Sequence, residues 1–214
     1  MVLKLYGSYL STCTRRVGVV LHEKKIPFEF HNIDLAKGEH KSSDFIAKQP
    51  FGQVPYIDDD GFILFESRAI TRYLEDKYSN QGTKLIPADR QKRALFEQAA
   101  SIEQANFDSY AAPLVFEVVF KARRGLQTDP AKVKEYTEKL ADKLKAYDQI
   151  LAKQKYLAGD EVTLADLFHL PYGSMLPAAG VNLLQELPNV SRWFNDITSR
   201  PAWGAVKDGV KSTA

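Results

Sequence analysis

The chain has 214 residues, 44% of them apolar and 26% charged, and its 29 lysines and arginines stand against 27 aspartates and glutamates. So even a balance gives no electrostatic footprint for nucleic acid, and no window approaches the ~18 apolar residues that cross a bilayer, so membrane insertion is not expected. A single cysteine, Cys13, excludes an internal disulfide and a cysteine-based metal cluster, and His22, His31, His40 and His169 lack metal-ligand spacing, so no metal is expected.

Residues 2–6 (VLKLY) read as a short strand. Cys13, Val17, Val20 and Leu21 recur at helical spacing, predicting a helix over 12–24 with Cys13 as a buried structural thiol. Phe28 and Phe30 alternate with Glu29 and His31 as a second strand, completing a βαβ unit whose strands are parallel and whose crossover is right-handed. The polar stretch 37–48 has room for a short helix. Residues 55–57 then pair with 62–65 across the acidic turn Asp58-Asp59-Asp60-Gly61, and a helix over 67–77 lays Ile70, Tyr73 and Leu74 on that hairpin.

At Ser79-Asn80-Gln81-Gly82-Thr83 the composition turns polar and flexible, and beyond Pro87 the pattern is helical. The expected division is a first domain over 1–80, a linker over 81–88 and an all-helical domain over 89–214. A long helix runs from Asp89 towards Lys121, with a bend expected at Pro113. Asp129-Pro130 caps and opens a second helix, whose stripe Val133, Leu140, Leu144, Tyr147 and Leu151 is core. Thr163-Leu164-Ala165-Asp166 is a capping box, with Val162 and Leu167 as its hydrophobic staple. Pro188 and Pro201 start two further helices, and Trp193, Phe194 and Trp203 are packing anchors.

Ser11 lies between the first strand and first helix, where it either caps the helix or, with the free amides of that terminus, stabilises an anion. No GxSxG surrounds it, which weakens a serine hydrolase reading. Pro55 opens a strand although it cannot donate to a ladder, which marks an edge or a cis peptide; if cis, the Val54 amide and carbonyl face outward and can pair with an extended peptide. Glu66 and Ser67 begin another helix, where Ser67 suits a carboxylate and Glu66 an ammonium, with plain capping as the alternative. His40, Lys41 and Gln53 offer donors to a second carboxylate. An ammonium-plus-carboxylate site, a strand-like backbone site and a remote carboxylate site together describe γ-glutamyl-cysteinyl-glycine.

At this point LSTCTRRV at 10–17, GEHK at 38–41, QPFGQVP at 49–55, LFESRAITRYL at 64–74 and DEVTLADL at 160–167 carry a likeness. On these stretches the chain resembles the cytosolic glutathione transferases, most closely the phi class. The resemblance implies an α/β thioredoxin-like N-terminal domain (βαβαββα) with a cis-Pro55, an all-α C-terminal domain, and a homodimer working in the cytosol. It implies that Ser11 donates to the glutathione sulfur, that His40 and Lys41 hold the glycyl carboxylate, that Gln53, Val54 and Pro55 hold the backbone, and that Glu66 and Ser67 hold the γ-glutamyl end. Arg68 braces an interface. Leu10, Thr12, Leu35, Phe116 and Phe120 are the expected walls of an electrophile pocket.

The implied activity is conjugation of glutathione to hydrophobic electrophiles, with reduction of organic hydroperoxides beside it. A non-catalytic carrier of apolar small molecules is the alternative reading. Chemically, a thiol of pKa about 8.5 ionises near neutrality when a hydroxyl donor and a helix N-terminus stabilise its thiolate.

Overall fold

The structure, a computed structural model, describes residues 2–214. The described chain forms two compact units, one of residues up to 85 together with 200–214, the other of residues 86–199.

The first unit is built on β1 (Leu3–Gly7), α1 (Thr12–Glu23), β2 (Phe28–Asn32), a 3-10 turn at Glu39–Lys41, α2 (Ser43–Ile46), β3 (Tyr56–Asp59), β4 (Phe62–Phe65) and α3 (Ser67–Lys77). The sheet runs β2-β1-β3-β4. β1 pairs parallel with β2 from Leu3↔Phe28 to Gly7↔Asn32, and β3 lies antiparallel to both β1 and β4. This is the thioredoxin-like arrangement. Asp60 and Gly61, at φ 58° and 88°, form the two-residue turn between the partners Asp59 and Phe62, and the Asp58 carboxylate accepts from the Gly61 amide at 2.8 Å. Two successive left-handed residues match the strand twist of a tight hairpin, which is why the acidic run ends in glycine. The pairing has one consequence for function. The carboxyl ends of β1, β2 and β4 and the amino end of β3 all lie at one end of the sheet, the usual ligand end of such folds.

The second unit opens with one helical run: α4 (Arg90–Ile102), a π-helical stretch at Glu103–Asp108, α5 (Ser109–Val115), a second π-helical stretch at Phe116–Phe120, and α6 (Lys121–Arg123). Pro113, which lacks an amide to donate, sits in α5 between the two wide-turn stretches. α7 (Pro130–Leu151) follows, its first amides at Ala131 and Lys132 bound by the Asp129 carboxylate. Of the expected stripe, Leu140, Leu144, Tyr147 and Leu151 are buried and Val133 is half-buried. Then come α8 (Leu164–Phe168), α9 (Leu170–Gly173), α10 (Leu183–Glu186) and α11 (Pro188–Thr198).

The capping box at the start of α8 is a hub of this core. Asp166 is fully buried, and its carboxylate accepts from the amides of Leu157 and Thr163, the Thr163 hydroxyl and the Trp193 indole. Beside it, His169 places Nδ1 2.8 Å from the Ala165 carbonyl, so that nitrogen carries the proton and Nε2 accepts from the Tyr147 hydroxyl at 3.1 Å.

Residues 200–214, with α12 at Pro201–Gly204, belong to the first unit and not to the helical one expected from their sequence pattern. The physical reason is α1. Ten of its twelve residues are buried, Val17, Val19, Val20 and Leu21 completely, so a single amphipathic face does not describe it. Val206 and Val210 pack against Gly18, the Arg15 guanidinium lies over the Trp203 ring and donates to the Lys207 carbonyl at 3.0 Å, and Arg200 pairs with Glu23. Trp203 is thus an anchor, as expected, but of the first unit.

The polar stretch 79–83, expected to be a flexible linker, is tied to the end of α1. Thr83 donates its amide to the Glu23 carbonyl and its hydroxyl to the Glu23 carboxylate, and Gln81 donates to the Lys24 carbonyl. At Gly82, φ is +62° and an added Cβ would stand 2.3 Å from the Glu23 carbonyl oxygen, so the approach requires glycine. Lys24, wholly buried, pairs with Glu75 at 2.8 Å and donates to the Thr83 carbonyl, while Glu75 accepts from the Leu85 amide. A buried ion pair persists only when its remaining donors and acceptors are met in this way.

Candidate active site

β1 delivers the chain to the ligand end at Gly7, and a turn closed by the Ser11 amide on the Ser8 carbonyl at 2.9 Å starts α1. Ser11 is the N-cap of α1, with extended backbone, and its hydroxyl accepts from the Thr14 amide at 3.4 Å. The two readings of Ser11 are therefore compatible. An oxygen that accepts from its own helix keeps its proton to donate, and half-exposed Ser11 has no acceptor for that proton among the described residues.

Cys13 is half-exposed, not buried as its spacing suggested, and its sulfur lies 3.6 Å from the Arg16 guanidinium. The helical period put it in phase with Val17, but in the first turn of α1 it is Thr12 and Thr14 that are buried, and Cys13 lies between them. Arg16 was not among the expected site residues. It is 1% exposed and donates to the Ser67 hydroxyl at 3.1 Å, which joins the start of α1 to the start of α3. Because the Ser67 oxygen accepts from a cation, its own proton is turned away to donate elsewhere. A buried guanidinium beneath the first free amides of an 11-residue helix is a positive setting that favours a carboxylate.

Glu66 precedes α3 at φ 70°, ψ 106°, a conformation that a non-glycine residue adopts rarely and at a cost of about 1–3 kcal/mol. Its side chain is exposed and makes no capping bond, so the capping alternative for Glu66 does not hold. Ser67 is the first helical residue and is buried.

The Val54-Pro55 peptide is cis, and Pro55 leads into β3. Val54 is half-exposed, and neither its amide nor its carbonyl takes part in a hydrogen bond among the described residues, which leaves one peptide's worth of strand-like backbone open. Gln53 has an exposed side chain, and its amide donates to the side chain of buried Gln49 at 3.1 Å. Lys41, exposed at the end of the 3-10 turn, sends its ammonium to the carbonyls of Phe51 at 3.3 Å and Gly52 at 2.9 Å, which ties the 38–41 turn to the loop before Pro55. His40 is half-buried in the same turn.

The first unit thus brings two clusters to one end of its sheet: Ser11 with Ser67 through Arg16, and Lys41 with the 51–55 loop. Of the expected pocket walls, Leu10 and Leu35 are exposed on this unit and Thr12 is buried at the first turn of α1, whereas Phe116 and Phe120, exposed and half-exposed, belong to the second unit. No group of three or more histidine, cysteine or carboxylate side chains that could hold a metal occurs among the described residues, and no described helix is long and apolar enough to cross a membrane.

Two family models match the chain: the N-terminal domain of glutathione S-transferase over residues 1–76, and its C-terminal domain over residues 107–201. Glutathione S-transferase hmp2 of Hypomyces subiculosus is 45% identical over 218 aligned positions, covering 100% of this chain and 99% of that protein. The crystal structure of glutathione transferase F7 from Populus trichocarpa superposes with a TM-score of 0.93 at 42% identity, covering 97% of this chain and 98% of that one. A glutathione S-transferase I from "Mais", solved with an atrazine glutathione conjugate, gives a TM-score of 0.89 at 32% identity, covering 97% of each chain.

Proposed function

The chain belongs to the glutathione S-transferase family, in its phi class, and is a transferase of glutathione, and from that premise we propose which of its residues do the work. Ser11 donates its hydroxyl proton to the glutathione sulfur. Ser67, with the α3 amides and Arg16 beneath it, receives the γ-glutamyl carboxylate, and Glu66 its ammonium. Gln53 and Val54, with cis-Pro55, pair with the cysteinyl backbone, and His40 and Lys41 take the glycyl carboxylate. The observation that carries this reading is the Ser11 hydroxyl, which accepts from Thr14 and keeps its own proton at the amino end of α1.

No base is required. The thiol of glutathione gives its proton to solvent, and the thiolate that remains is held by the Ser11 hydroxyl and the positive end of a 12-residue helix. The sulfur lone pair then forms a bond to an electrophilic carbon, and the leaving group departs with its electron pair. With an organic hydroperoxide, the sulfur attacks the O–O bond, releasing an alcohol and a sulfenic acid, which a second glutathione converts to the disulfide and water. Leu10 and Leu35 of the first unit are exposed apolar side chains that the electrophile can meet, whereas Thr12 is buried and cannot line such a surface. The active form is a homodimer in the cytosol, a reading supported by the family, by the exposed ring of Phe51 and by the use of one unpaired cysteine.

The test is turnover of 1-chloro-2,4-dinitrobenzene. Ser11→Ala is expected to lose about 10- to 100-fold in kcat, the loss that goes with one hydrogen bond to a developing or held anion, while the protein still binds to a glutathione resin. A Ser11→Ala protein that conjugates at the wild-type rate would overturn the assignment. Wild-type inactivity across aryl halides, isothiocyanates and cumene hydroperoxide, with retention on the resin, would leave a carrier.

A further inference from the structure

The turn that presents Ser11 is held from outside itself, and at one residue. Tyr9 donates its amide to the Asn32 side chain at 3.2 Å and accepts on its carbonyl from the Val210 amide at 3.1 Å. One bond comes from the carboxyl end of β2, the other from the returning segment 205–214. Only Leu10 separates this residue from Ser11. Gly209 makes the second contact possible: its φ is +134°, and an added Cβ would stand 2.8 Å from the Tyr9 ring.

The returning segment is itself well fixed. Val210 is 2% exposed, Lys207 receives Arg15 of α1, and Ser212 and Thr213 accept from the amides of Phe30 and Phe28 along the free edge of β2, with the Thr213 amide returned to the Phe28 carbonyl at 3.0 Å. Both clamps on Tyr9 therefore refer to β2, the strand that ends in Asn32. Tyr9 is exposed, and a surface turn closed by a single internal bond would otherwise be free to rock about its two ends.

We propose that Asn32 and the Gly209-Val210 peptide are positioning residues for the transfer reaction: they fix the two peptide units on either side of the Tyr9 Cα and thereby the direction of the Ser11 hydroxyl. The proposal rests on the reading of Ser11 as the donor to the glutathione sulfur. Donors that stabilise an anion lose most of their effect with an ångström of misplacement, so the clamp acts on the chemical step and leaves the binding of the peptide, which other residues carry, nearly untouched.

The experiment uses the full chain with glutathione and 1-chloro-2,4-dinitrobenzene. Asn32→Ala and Gly209→Ala are each expected to keep the glutathione Kd within about twofold, to lower kcat about tenfold, and to move the acid limb of the pH–rate profile to higher pH, because a misdirected hydroxyl supports the thiolate less well. Introduced into Ser11→Ala, the same changes are expected to cost nothing further. Unchanged kcat and pH profile in both variants would overturn the proposal. So would losses that multiply with that of Ser11→Ala, or a Kd that weakens as much as kcat, since these describe a loosened domain and not a misaimed hydroxyl. Should Gly209→Ala fail to fold, Asn32→Ala, a change at an exposed side chain, decides alone. If Ser11→Ala by itself leaves turnover unchanged, it is the assignment of Ser11 that has failed, and the clamp falls with it.

Discussion

Replacing Asp166 by alanine removes an acceptor that four donors share inside the second unit. One carboxylate oxygen takes the Leu157 amide at 3.0 Å and the Trp193 indole at 2.9 Å, and the other takes the Thr163 amide at 2.8 Å and the Thr163 hydroxyl at 2.9 Å. The hydroxyl can rotate to a new partner, but the three N–H groups cannot. Each buried donor left without an acceptor costs about 1–3 kcal/mol, so the unrelaxed loss is about 3–9 kcal/mol. Two effects reduce it. Water enters the space the carboxylate leaves, and the folded protein no longer has to bury an ionisable group, whose pKa burial pushes upward against its four hydrogen bonds. We expect about 3–5 kcal/mol, a large share of the 5–15 kcal/mol that a domain has. Asp166→Asn keeps an acceptor for one pair of donors and turns an NH2 towards the other, and is expected to cost about 1–3 kcal/mol. Urea unfolding followed by tryptophan fluorescence measures both, since Trp193 donates to the group being changed. Where the variant is folded, its retention on a glutathione resin should be that of the wild type, because the proposed ligand residues belong to the other unit. An Asp166→Ala protein within 1 kcal/mol of wild type, or less damaged than Asp166→Asn, would refute the reasoning.

Ser67→Ala removes the proposed donor to the γ-glutamyl carboxylate and deprives buried Arg16 of a hydrogen bond; the KM for glutathione is expected to rise about tenfold with kcat within about threefold, and steady-state kinetics with an unchanged KM would remove Ser67 from the site. The Glu23–Arg200 contact makes stability depend on pH. Burial alone would raise the Glu23 pKa, but the hydrogen bonds from Arg200 and Thr83 and the Arg200 charge outweigh it and bring it below the ordinary value. The folded chain thus keeps this carboxyl ionised where the unfolded chain protonates it, so its contribution is whole above the unfolded value of about 4.3 and fades as pH falls below that. In urea titrations at several pH values, Arg200→Met is expected to be less stable at pH 7 and to lose less stability on acidification. A slope equal to that of wild type would exclude the pair as the cause.

Much of this structure is written locally in the chain. The Asp58–Gly61 run names a turn because two left-handed residues are needed there, and Thr163 with Asp166 names a helix start because each side chain meets the other's amide. The helix at 67–77 was legible to its last residue from its apolar spacing. What was not legible depends on contacts between distant segments. No local pattern says that residues 205–214 return to cover α1, so the burial of Arg15 and the placement of Trp203 were missed. Polar composition at 79–83 reads as flexibility, yet the donors and acceptors that create that composition are the ones Glu23 and Lys24 use. Within the proposed site, Ser11, Ser67 and Lys41 drew attention because serine at a helix start and a cation near a cis-Pro loop carry a chemical meaning of their own. Arg16 and Asn32 did not. Arg16 lies outside the apolar spacing that marks α1, and Asn32 ends a strand, so only the third dimension gives either of them a partner.

The central claim is that the Ser11 hydroxyl holds the thiolate of bound glutathione. Titration of thiolate absorbance in the binary complex of protein and glutathione tests it without any electrophile. Bound to the wild type, the thiol is expected to ionise at least one pH unit below its free value of about 8.5, and bound to Ser11→Ala it should return to within about half a unit of that value. An Ser11→Ala complex that binds glutathione and still ionises as low as the wild type would contradict the account.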